Sequence, residues 1–268
     1  MPPLVLSAEG VAVAVDAGLG GRLTSWVVDG MDLLGVRGVA PEESGCYPMA
    51  PWPGRLRDNQ VRWDGVRHDM PVTFAGWAMH GTVLAKEWQV VEFSQTHVVM
   101  ATDLGSSWPW SGHADLTWRL GAGSLHSTLA VISDGEAFPA EMGWHPWFRR
   151  RLDRGGELRW ATNATAMLER GSDHLPSGRR LDPAMVSAPF DDVFHVPDGR
   201  VDIHWPGALR MSCQSDAEWV VVYDEPADFV CIEPQTAPPG GPGPLSVVQT
   251  GQARGASVTW SWVTDLPR

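Results

Sequence analysis

Short stretches that alternate apolar and polar residues recur along this chain, and turn residues separate them. The clearest lie at residues 11–15, 22–28, 96–103, 125–132 and 257–263. An alternation with a period of two directs one set of side chains into a core and the other into solvent, which is typical of a β-strand. No stretch keeps a helical period for more than about two turns. The pattern therefore predicts an all-β protein built as a large antiparallel β-sandwich.

Turn chemistry favours the same fold class. The 268 residues include 29 glycines and 22 prolines, which suits many strands joined by tight turns. The strongest hairpin signal is Asp64-Gly65, between residues 60–63 and 66–70. No linker, low-complexity tract or strict repeat divides the chain, so we predict one domain over residues 1–268.

Charge and cysteine content exclude several classes of protein. The net charge of −12 and the pI near 5.1 disfavour nucleic acids and anionic membrane surfaces as partners. The three cysteines are widely spaced and form no CxxC pair, so neither a disulfide framework nor a zinc site is indicated. The first residues carry no positively charged leader, and the apolar stretch 11–15 is too short to span a bilayer. We therefore predict a cytoplasmic protein.

The segment Cys-Ile-Glu-Pro-Gln-Thr at residues 231–236 carries the first candidate catalytic group. An apolar run that reads as a buried strand leads into Glu233, and Pro234 follows at once. Because proline cannot donate to a ladder, we expect strand pairing to end after Glu233. A carboxylate in that position suits a general base that faces a loop, and it equally suits an exposed glutamate at a strand end.

Four further segments contain polar residues next to glycine, proline or aromatic residues. In Gly-Trp-His-Pro-Trp-Phe at residues 143–148, the proline restricts His145, whose pKa near 6.5 suits proton transfer at neutral pH. The other three are His80-Gly81, the loop Pro-Trp-Pro-Gly-Arg that ends at Arg55, and the Phe-Asp-Asp sequence at residues 190–192. Taken singly, each also suits a structural histidine, a surface arginine or a solvated carboxylate.

Taken together and in this order, these segments resemble the aldose 1-epimerase (galactose mutarotase) family. The resemblance runs from about residue 49 to residue 240 and rests most firmly on the His-Pro-Trp-Phe and Glu-Pro-Gln-Thr elements. This chain departs from the family pattern at Gly54, where asparagine is usual, and at Trp147, where tyrosine is frequent. The doublet Asp191-Asp192 leaves the substrate aspartate open by one position, and the preceding Phe190 favours Asp191.

The resemblance implies a large antiparallel β-sandwich that interconverts the α and β anomers of a free aldose. The sugar ring must open, so the C1 hydroxyl loses a proton while O5 gains one. By resemblance, Glu233 takes the C1 hydroxyl proton and His145 protonates O5 from the opposite side of the hemiacetal, while His80 hydrogen-bonds near O5. Other side chains that the resemblance places at the substrate are Arg55, Asp191, Trp147 and Gln235. The reaction has no redox or carbanion step, so we expect neither a metal nor an organic cofactor.

Three alternatives stay open on the sequence alone. A hexose 6-phosphate or another anionic sugar as substrate would use arginines, for which Arg55, Arg57 and the run at residues 149–151 are candidates. A non-catalytic carbohydrate-binding protein would not require an acid–base couple. A glycoside hydrolase would pair Asp191 with Glu233 and leave His145 without a task. The sequence specifies neither which sugar binds nor the oligomeric state.

Overall fold

Antiparallel strands form nearly all of the regular structure of the protein, which we describe from a computed structural model for residues 2–243 and 246–265. The strands are β1 (Leu4–Ala8), β2 (Val11–Asp16), β3 (Arg22–Val28), β4 (Met31–Asp32), β5 (Cys46–Met49), β6 (Gln60–Trp63), β7 (Val66–Asp69), β8 (Gln89–Phe93), β9 (His97–Asp103), β10 (Gly112–Leu120), β11 (Ser124–Ser133), β12 (Phe138–Pro139), β13 (Gly143–Arg149), β14 (Arg159–Thr162), β15 (Ala166–Arg170), β16 (Pro176–Leu181), β17 (Asp191–His195), β18 (Arg200–Trp205), β19 (Leu209–Ser215), β20 (Trp219–Tyr223), β21 (Phe229–Gln235), β22 (Val247–Val248) and β23 (Ala253–Thr264). Single turns of 3₁₀ helix lie at Pro41–Glu43, Arg57–Asn59 and Pro183–Met185. No helix in the described part of the chain is long and apolar enough to cross a membrane.

Two large sheets carry most of these strands. The front sheet has the order β1-β2-β3-β5-β13-β21-β20-β17-β15-β16, with β4 paired to β3. The back sheet has the order β14-β18-β19-β23-β11-β10-β9-β8. Two small two-stranded sheets, β12-β22 and β6-β7, complete the described structure. The predicted fold class, an all-β antiparallel sandwich, is confirmed.

The core lies between the two large sheets, because alternate residues of each strand turn inward. In β23 and β10 the burial alternates residue by residue, as the sequence pattern predicted. Tryptophans fill much of this layer: Trp26 of the front sheet packs at 5.6 Å from Trp260 of the back sheet, and Phe148 packs at 5.9 Å from Trp205. One apolar cluster thus contains residues of both sheets. That residues 1–268 form one domain stays a prediction.

The β6–β7 hairpin forms where Asp64-Gly65 predicted it. Asp64 has φ 48° and Gly65 has φ 76°, so both central residues of the turn adopt the positive φ that a type I′ turn requires. The strands that were not predicted from the sequence are β1, β4, β5, β12, β13, β15, β16 and β17. β5 contains Pro48 and β13 contains Pro146, and a proline within a short segment argues against a strand when only the neighbouring residues are considered.

The strand that carries Glu233 does not end there, which corrects the sequence-based expectation. β21 continues to Gln235, and the ladder to β20 includes the pair Val220–Pro234. On the other side, the β13 ladder is interrupted between the pairs Gly143–Gln235 and Trp147–Cys231. Proline removes one donor only, so pairing can lapse on one side while it persists on the other. Glu233 is consequently 3% exposed and lies inside the sheet.

Candidate active site

The register of two neighbouring front-sheet strands places His145 beside Glu233. Gly143 pairs with Gln235 in the antiparallel ladder between β13 and β21, and the same register resumes beyond the gap. His145 and Glu233 lie at matching distances from that pair, so their side chains emerge on the same face and meet. The gap in the ladder therefore coincides with the point where the two polar groups come together.

His145 and Glu233 are in direct contact and are both buried. The Nε2 atom of His145 lies 3.1 Å from Oε1 of Glu233, and Gln235 Nε2 donates a hydrogen bond of 3.0 Å to Glu233 Oε2. Burial raises the pKa of Glu233 well above its ordinary value, and the negative charge of Asp191 adds to the effect. Burial lowers the pKa of His145 to about 3. Both directions favour a neutral pair that shares one proton between Nε2 and Oε1.

The sequence analysis expected His145 and Glu233 on opposite sides of a sugar, whereas the structure places the two side chains next to each other. At 3.1 Å apart, the two groups leave no gap between them for a ring. They lie side by side instead and face the same cleft. The ring oxygen O5 and the hydroxyl oxygen on C1 are bonded to the same carbon, so two adjacent groups can reach both oxygens.

His80 lies at the edge of this pair, in a loop with unusual backbone geometry. Its φ is 61°, in the left-handed region, and its N–H donates a hydrogen bond of 2.9 Å to the carbonyl of Gly54. The Gly54 N–H in turn donates to His80 Nδ1 at 3.3 Å. Because Nδ1 accepts, this network assigns the ring proton to Nε2. Burial lowers the pKa of His80 well below its ordinary value, so the ring is a neutral hydrogen-bond donor.

Asp191 is held by two arginines. Arg55 and Arg170 contact its Oδ2 atom at 3.1 and 3.0 Å, and Arg170 Nε also lies 3.7 Å from Asp192. Asp191 pairs with Tyr223 across the β17–β20 ladder, and both line the cleft. Among the described protein atoms, the buried Nε of Arg55 has no hydrogen-bond partner. A buried donor without a partner is a group that a ligand oxygen can satisfy.

Trp147 and Gln235 also line the cleft, with different amounts of free hydrogen-bonding capacity. The indole N–H of Trp147 donates to the carbonyl of Glu42 at 2.8 Å, and its ring stacks on His145 with 5.3 Å between centroids. Trp147 is 3% exposed, so it offers a ligand little surface. Gln235 uses its NH₂ on Glu233, whereas its buried Oε1 has no partner among the described protein atoms.

All seven predicted site residues line one cleft. Its apolar wall includes Phe74, Met79, Leu168, Val193 and Val221. The cleft lies on the face of the front sheet that points away from the back sheet, and residues from the segments 37–43, 54–55, 74–80 and 174–176 lie around it.

Sequence reasoning missed several polar residues of this cleft, among them Arg37, Arg170 and Tyr223. Arg170 is the last residue of β15, and no motif surrounds it. Arg37 Nη1 contacts the hydroxyl of Tyr223 at 3.1 Å, although the two are 186 residues apart in the chain. A local pattern carries no signal for such a contact.

Other arginines that the sequence suggested for an anionic substrate lie elsewhere. None of residues 149–151 lines the cleft. Arg150 Nη2 donates to the carbonyls of Asp224 and Pro226 at 2.6 and 3.1 Å, so it ties neighbouring loops together. Arg57 pairs with the exposed carboxylate of Asp173 at 3.1 Å and is also outside the cleft.

Gly54, one departure from the family pattern, has a backbone conformation that suits glycine. Its φ is 66°, a region that glycine adopts freely and asparagine tolerates better than most residues. A Cβ atom built at this position would lie 2.7 Å from Cγ of Pro239. A side chain here would therefore require Pro239 to shift. The glycine leaves the cleft wall without the amide that asparagine would supply.

His145, Cys231 and Glu233 are the one group in the described residues with donor atoms close enough to be considered for a metal, within 4.8 Å of one another. His145 and Glu233 already bond each other. Burial raises the pKa of the Cys231 thiol well above its ordinary value, whereas a metal binds the thiolate. A metal would therefore have to displace protons that the buried site favours.

The chain is similar to known proteins in sequence and in fold. The sequence matches the aldose 1-epimerase family over residues 4–256. The uncharacterized protein YihR of Escherichia coli K12 is 24% identical over 216 residues, which make up 71% of this chain and 69% of YihR. Because the family match extends over most of the chain, the protein belongs to the aldose 1-epimerase family.

Two solved structures share the fold. A galactose mutarotase-like protein from Clostridium acetobutylicum has a TM-score of 0.84 at 16% identity, with 97% of this chain and 94% of that chain covered. Galactose 1-epimerase from Lactobacillus acidophilus NCFM has a TM-score of 0.82 at 16% identity, with 98% and 95% covered. At these identities the likeness shows the fold alone.

Proposed function

We propose that this protein is an aldose 1-epimerase that interconverts the α and β anomers of a free aldose. The observation that carries the proposal is the contact between His145 and Glu233 on the floor of the cleft, at 3.1 Å. Moving one proton across this contact converts the neutral pair into a carboxylate and an imidazolium. The pair can therefore act as base and acid at once without exchanging protons with solvent.

Ring opening starts from the charged form of the pair. The Glu233 carboxylate accepts the proton of the C1 hydroxyl, and the electrons of that O–H bond form the C1=O1 double bond. The C1–O5 bond breaks, its electron pair moves to O5, and His145 Nε2 donates its proton to O5. The products are the open-chain aldehyde, a Glu233 carboxylic acid and a neutral His145.

Ring closure reverses these transfers on the other face of the aldehyde. After rotation about the C1–C2 bond, O5 attacks C1, His145 takes the O5 proton and Glu233 returns its proton to O1. No proton is gained or lost over the cycle. The neutral form of the pair, which burial favours, is the form that coexists with the open-chain aldehyde.

Neighbouring groups supply hydrogen bonds to the sugar in this proposal. His80, neutral with its proton on Nε2, donates to the region of O5 as negative charge develops there. The free Nε of Arg55 donates to a hydroxyl and the free Oε1 of Gln235 accepts from one. Asp191, fixed by two arginines, orients a further hydroxyl, and Trp147 packs behind His145.

The site supports two other candidate functions less well, namely a glycoside hydrolase and a non-catalytic sugar-binding protein. A glycoside hydrolase would need Asp191 as a second catalytic carboxylate, but both of its nearest partners are guanidinium groups at 3.0 and 3.1 Å. A sugar-binding protein has no use for a buried acid–base pair, whose desolvation opposes folding.

An anionic sugar is a second candidate substrate, and Arg37 favours it. Arg37 lines the cleft and contacts the Tyr223 hydroxyl, and it forms no ion pair with any carboxylate in the described residues. Arg55 and Arg170, in contrast, are already paired with Asp191. One unpaired guanidinium at the cleft is a group that a phosphate or another acidic substituent can bind.

Polarimetry of freshly dissolved α-anomers tests the proposal. Glucose, galactose, xylose and arabinose are followed optically, and glucose 6-phosphate is followed by NMR in a buffer without phosphate. We expect the wild-type protein to accelerate mutarotation and Glu233→Gln to lower kcat by about 10²–10⁴. Circular dichroism and thermal unfolding serve as the folding control for the variant.

The outcomes separate the candidates. Acceleration of neutral sugars supports the proposed epimerase, and acceleration confined to the phosphorylated sugar supports the anionic substrate and predicts its loss in Arg37→Gln. Turnover by Glu233→Gln at the wild-type rate would rule out Glu233 as the base. Sugar binding without acceleration of any anomer would overturn the enzyme proposal.

A further inference from the structure

Five side chains form a continuous column: Arg22, Tyr47, His145, Trp147 and Arg37. Of these, His145, Trp147 and Arg37 line the cleft. The imidazole of His145 lies between two aromatic rings, with centroids 4.8 Å from Tyr47 at an interplanar angle of 19° and 5.3 Å from Trp147 at 28°. A guanidinium covers the outer face of each ring, Arg22 at 5.1 Å from Tyr47 and Arg37 at 5.7 Å from Trp147. We name this arrangement the histidine column.

Strand register builds the column. Tyr47 pairs directly with His145 across the β5–β13 ladder, and Trp147 follows two residues along the same strand face. Arg22 begins β3, the strand that pairs with β5. The column therefore rests on rigid sheet positions, with the exception of Arg37, which lies in a loop.

The column matters because His145 lacks the usual second hydrogen bond. A catalytic histidine is commonly oriented by a carboxylate or carbonyl on the nitrogen that does not react. Here the Nδ1 atom of His145 is buried and has no hydrogen-bond partner among the described protein atoms. The Nε2 contact with Glu233 alone does not fix the plane of the ring. Packing on both faces of the imidazole does, because rotation about Cβ–Cγ would drive the ring edge into Tyr47 or Trp147.

Arg22 makes the Tyr47 side of the column rigid and charged. It is 1% exposed, and its guanidinium donates to the carbonyls of Leu19 at 2.9 Å and Leu84 at 2.7 Å. It forms no ion pair with a carboxylate of the described residues, so its charge is not neutralised by direct contact. The Tyr47 hydroxyl is tied separately to the carbonyl of Glu42 at 3.0 Å.

We propose that Tyr47, backed by Arg22, is a positioning residue that holds the plane of His145 so that Nε2 stays on Glu233. This inference rests on the proposed function of the His145–Glu233 pair. Stacking takes the place that a second hydrogen bond occupies in other catalytic histidines. The buried charge of Arg22 also disfavours an imidazolium next to it, which adds to the effect of burial on the pKa of His145.

The charged and titratable groups around His145 fix what a pH titration would report. They come from five elements: Arg22 of β3, Tyr47 of β5, Glu233 and Cys231 of β21, and His80 and Arg55 of the loops over the cleft. His80 meets His145 edge-on, with 5.0 Å between centroids, and its own low pKa keeps it uncharged. Removing the Tyr47 ring leaves all the other groups in place.

Two substitutions of Tyr47 test the proposal. Tyr47→Phe keeps the ring and removes only the hydroxyl, and Tyr47→Leu keeps an apolar side chain and removes the ring. We expect kcat of Tyr47→Phe to stay within about threefold of wild type, and kcat of Tyr47→Leu to fall at least tenfold with little change in KM. Thermal unfolding checks that both variants fold, and Tyr47→Met replaces the leucine variant if that variant does not.

Nitrogen NMR of the histidine side chains provides a readout that does not depend on activity. The His145 signals are assigned by their loss in His145→Gln. In wild type and Tyr47→Phe we expect the tautomer and the low pKa of His145 to be retained. In Tyr47→Leu we expect averaged tautomer signals and a pKa that rises from about 3 toward the ordinary value, since water reaches the ring.

The results separate two kinds of failure. If Tyr47→Leu keeps the wild-type kcat and His145 signals, or if Tyr47→Phe is impaired as severely as Tyr47→Leu, the ring is not the positioning element and the inference is overturned. If no sugar is epimerised by the wild-type protein, the proposed function fails. The NMR comparison then still decides whether Tyr47 holds the imidazole.

Discussion

Gly81 lies so close to Ala50 that no side chain fits between them. A Cβ atom at Gly81 would be 1.9 Å from the carbonyl oxygen of Ala50, and the φ of Gly81 is 82°. The two residues form a parallel bridge, and the Thr82 N–H donates to the same Ala50 carbonyl at 2.8 Å. This contact fixes the loop that carries His80 against the loop that leads to Arg55.

Replacing Gly81 by alanine should therefore damage both stability and the site. The new methyl group collides with backbone rather than with a flexible side chain, and alanine disfavours the positive φ. We expect the free energy of unfolding to fall by about 3 kcal/mol or more, measured by urea denaturation.

Gly76→Ala is the matched control for that substitution. Gly76 has a similar φ of 86°, but nothing lies within 4 Å of a Cβ placed there. The free energy of unfolding of this variant should fall only by the cost of the positive φ for alanine, about 1 kcal/mol. Equal losses in the two variants would show that the Ala50 contact is unimportant.

Replacing Glu233 by glutamine should change how stability depends on pH. Because burial raises the pKa of Glu233, the folded protein retains a proton that the unfolded chain releases near pH ~4.3. The stability from this group is fully present below that pH and is lost as pH rises. Relative to wild type, the free energy of unfolding of Glu233→Gln should therefore rise by up to about 1.4 kcal/mol per pH unit above pH ~4.5. Denaturation curves collected from about pH 4.5 to 7 measure this difference.

His145→Gln should show the opposite trend. The pKa of His145 is lowered to about 3, so its contribution to stability is present above the unfolded pKa of about 6.5 and is lost as pH falls. The glutamine variant does not undergo that loss, so its free energy of unfolding should rise relative to wild type as the pH decreases below ~6.5. Parallel pH profiles for wild type and both variants would contradict the assignment of a neutral buried pair.

Arg170→Gln should weaken substrate binding more than chemistry. Arg170 is one of two arginines on the same oxygen of Asp191, and it also contacts Glu225 at 3.5 Å. Without it, the Asp191 carboxylate that we place on a sugar hydroxyl loses a charged hydrogen-bond partner. We expect KM to rise about tenfold and kcat to change less than about threefold, with both read by polarimetry.

Arg179→Gln is the comparison for Arg170. Arg179 is exposed, pairs with Glu169 at 2.9 Å and lies outside the cleft. Its loss should leave both kinetic constants near wild type, since exposed ion pairs contribute little. A large effect in Arg179→Gln, or none in Arg170→Gln, would count against the proposed role of Asp191.

The three cysteines should be unreactive in the folded protein. Cys46, Cys213 and Cys231 are all buried, and burial raises the pKa of each thiol, that of Cys213 to about 12. Only the thiolate reacts readily with disulfide reagents. We expect Ellman's reagent to detect no thiol in buffer and three in guanidinium chloride. Rapid labelling of any thiol in buffer would contradict this expectation.

Much of the fold could be predicted from alternation and turn residues, because both signals are local. The β6–β7 hairpin follows from Asp64-Gly65, and β23 follows from its alternating pattern. β5 and β13 could not be predicted this way, because prolines interrupt them and neighbours on both sides supply the remaining hydrogen bonds. The same limit explains why pairing was expected to end at Glu233.

The same distinction between local and long-range signals applies to the residues of the candidate site. Glu233, His145, His80, Arg55 and Asp191 could be named because each lies in a short segment that resembles a family pattern. Other cleft residues, Arg37, Arg170 and Tyr223, lie in segments without such a pattern. They reach the cleft only through strand order and loop packing over long sequence separations.

The sequence by itself determined the fold class, the family pattern and which residues are candidates for acid–base chemistry, because period, turn chemistry and short motifs are encoded in neighbouring residues. The tertiary structure alone decided that His145 and Glu233 touch, that Tyr47 and Trp147 enclose the imidazole, and that burial opposes charge on both members of the pair. These properties depend on the register between strands and on the removal of water, and both arise only when distant segments pack together.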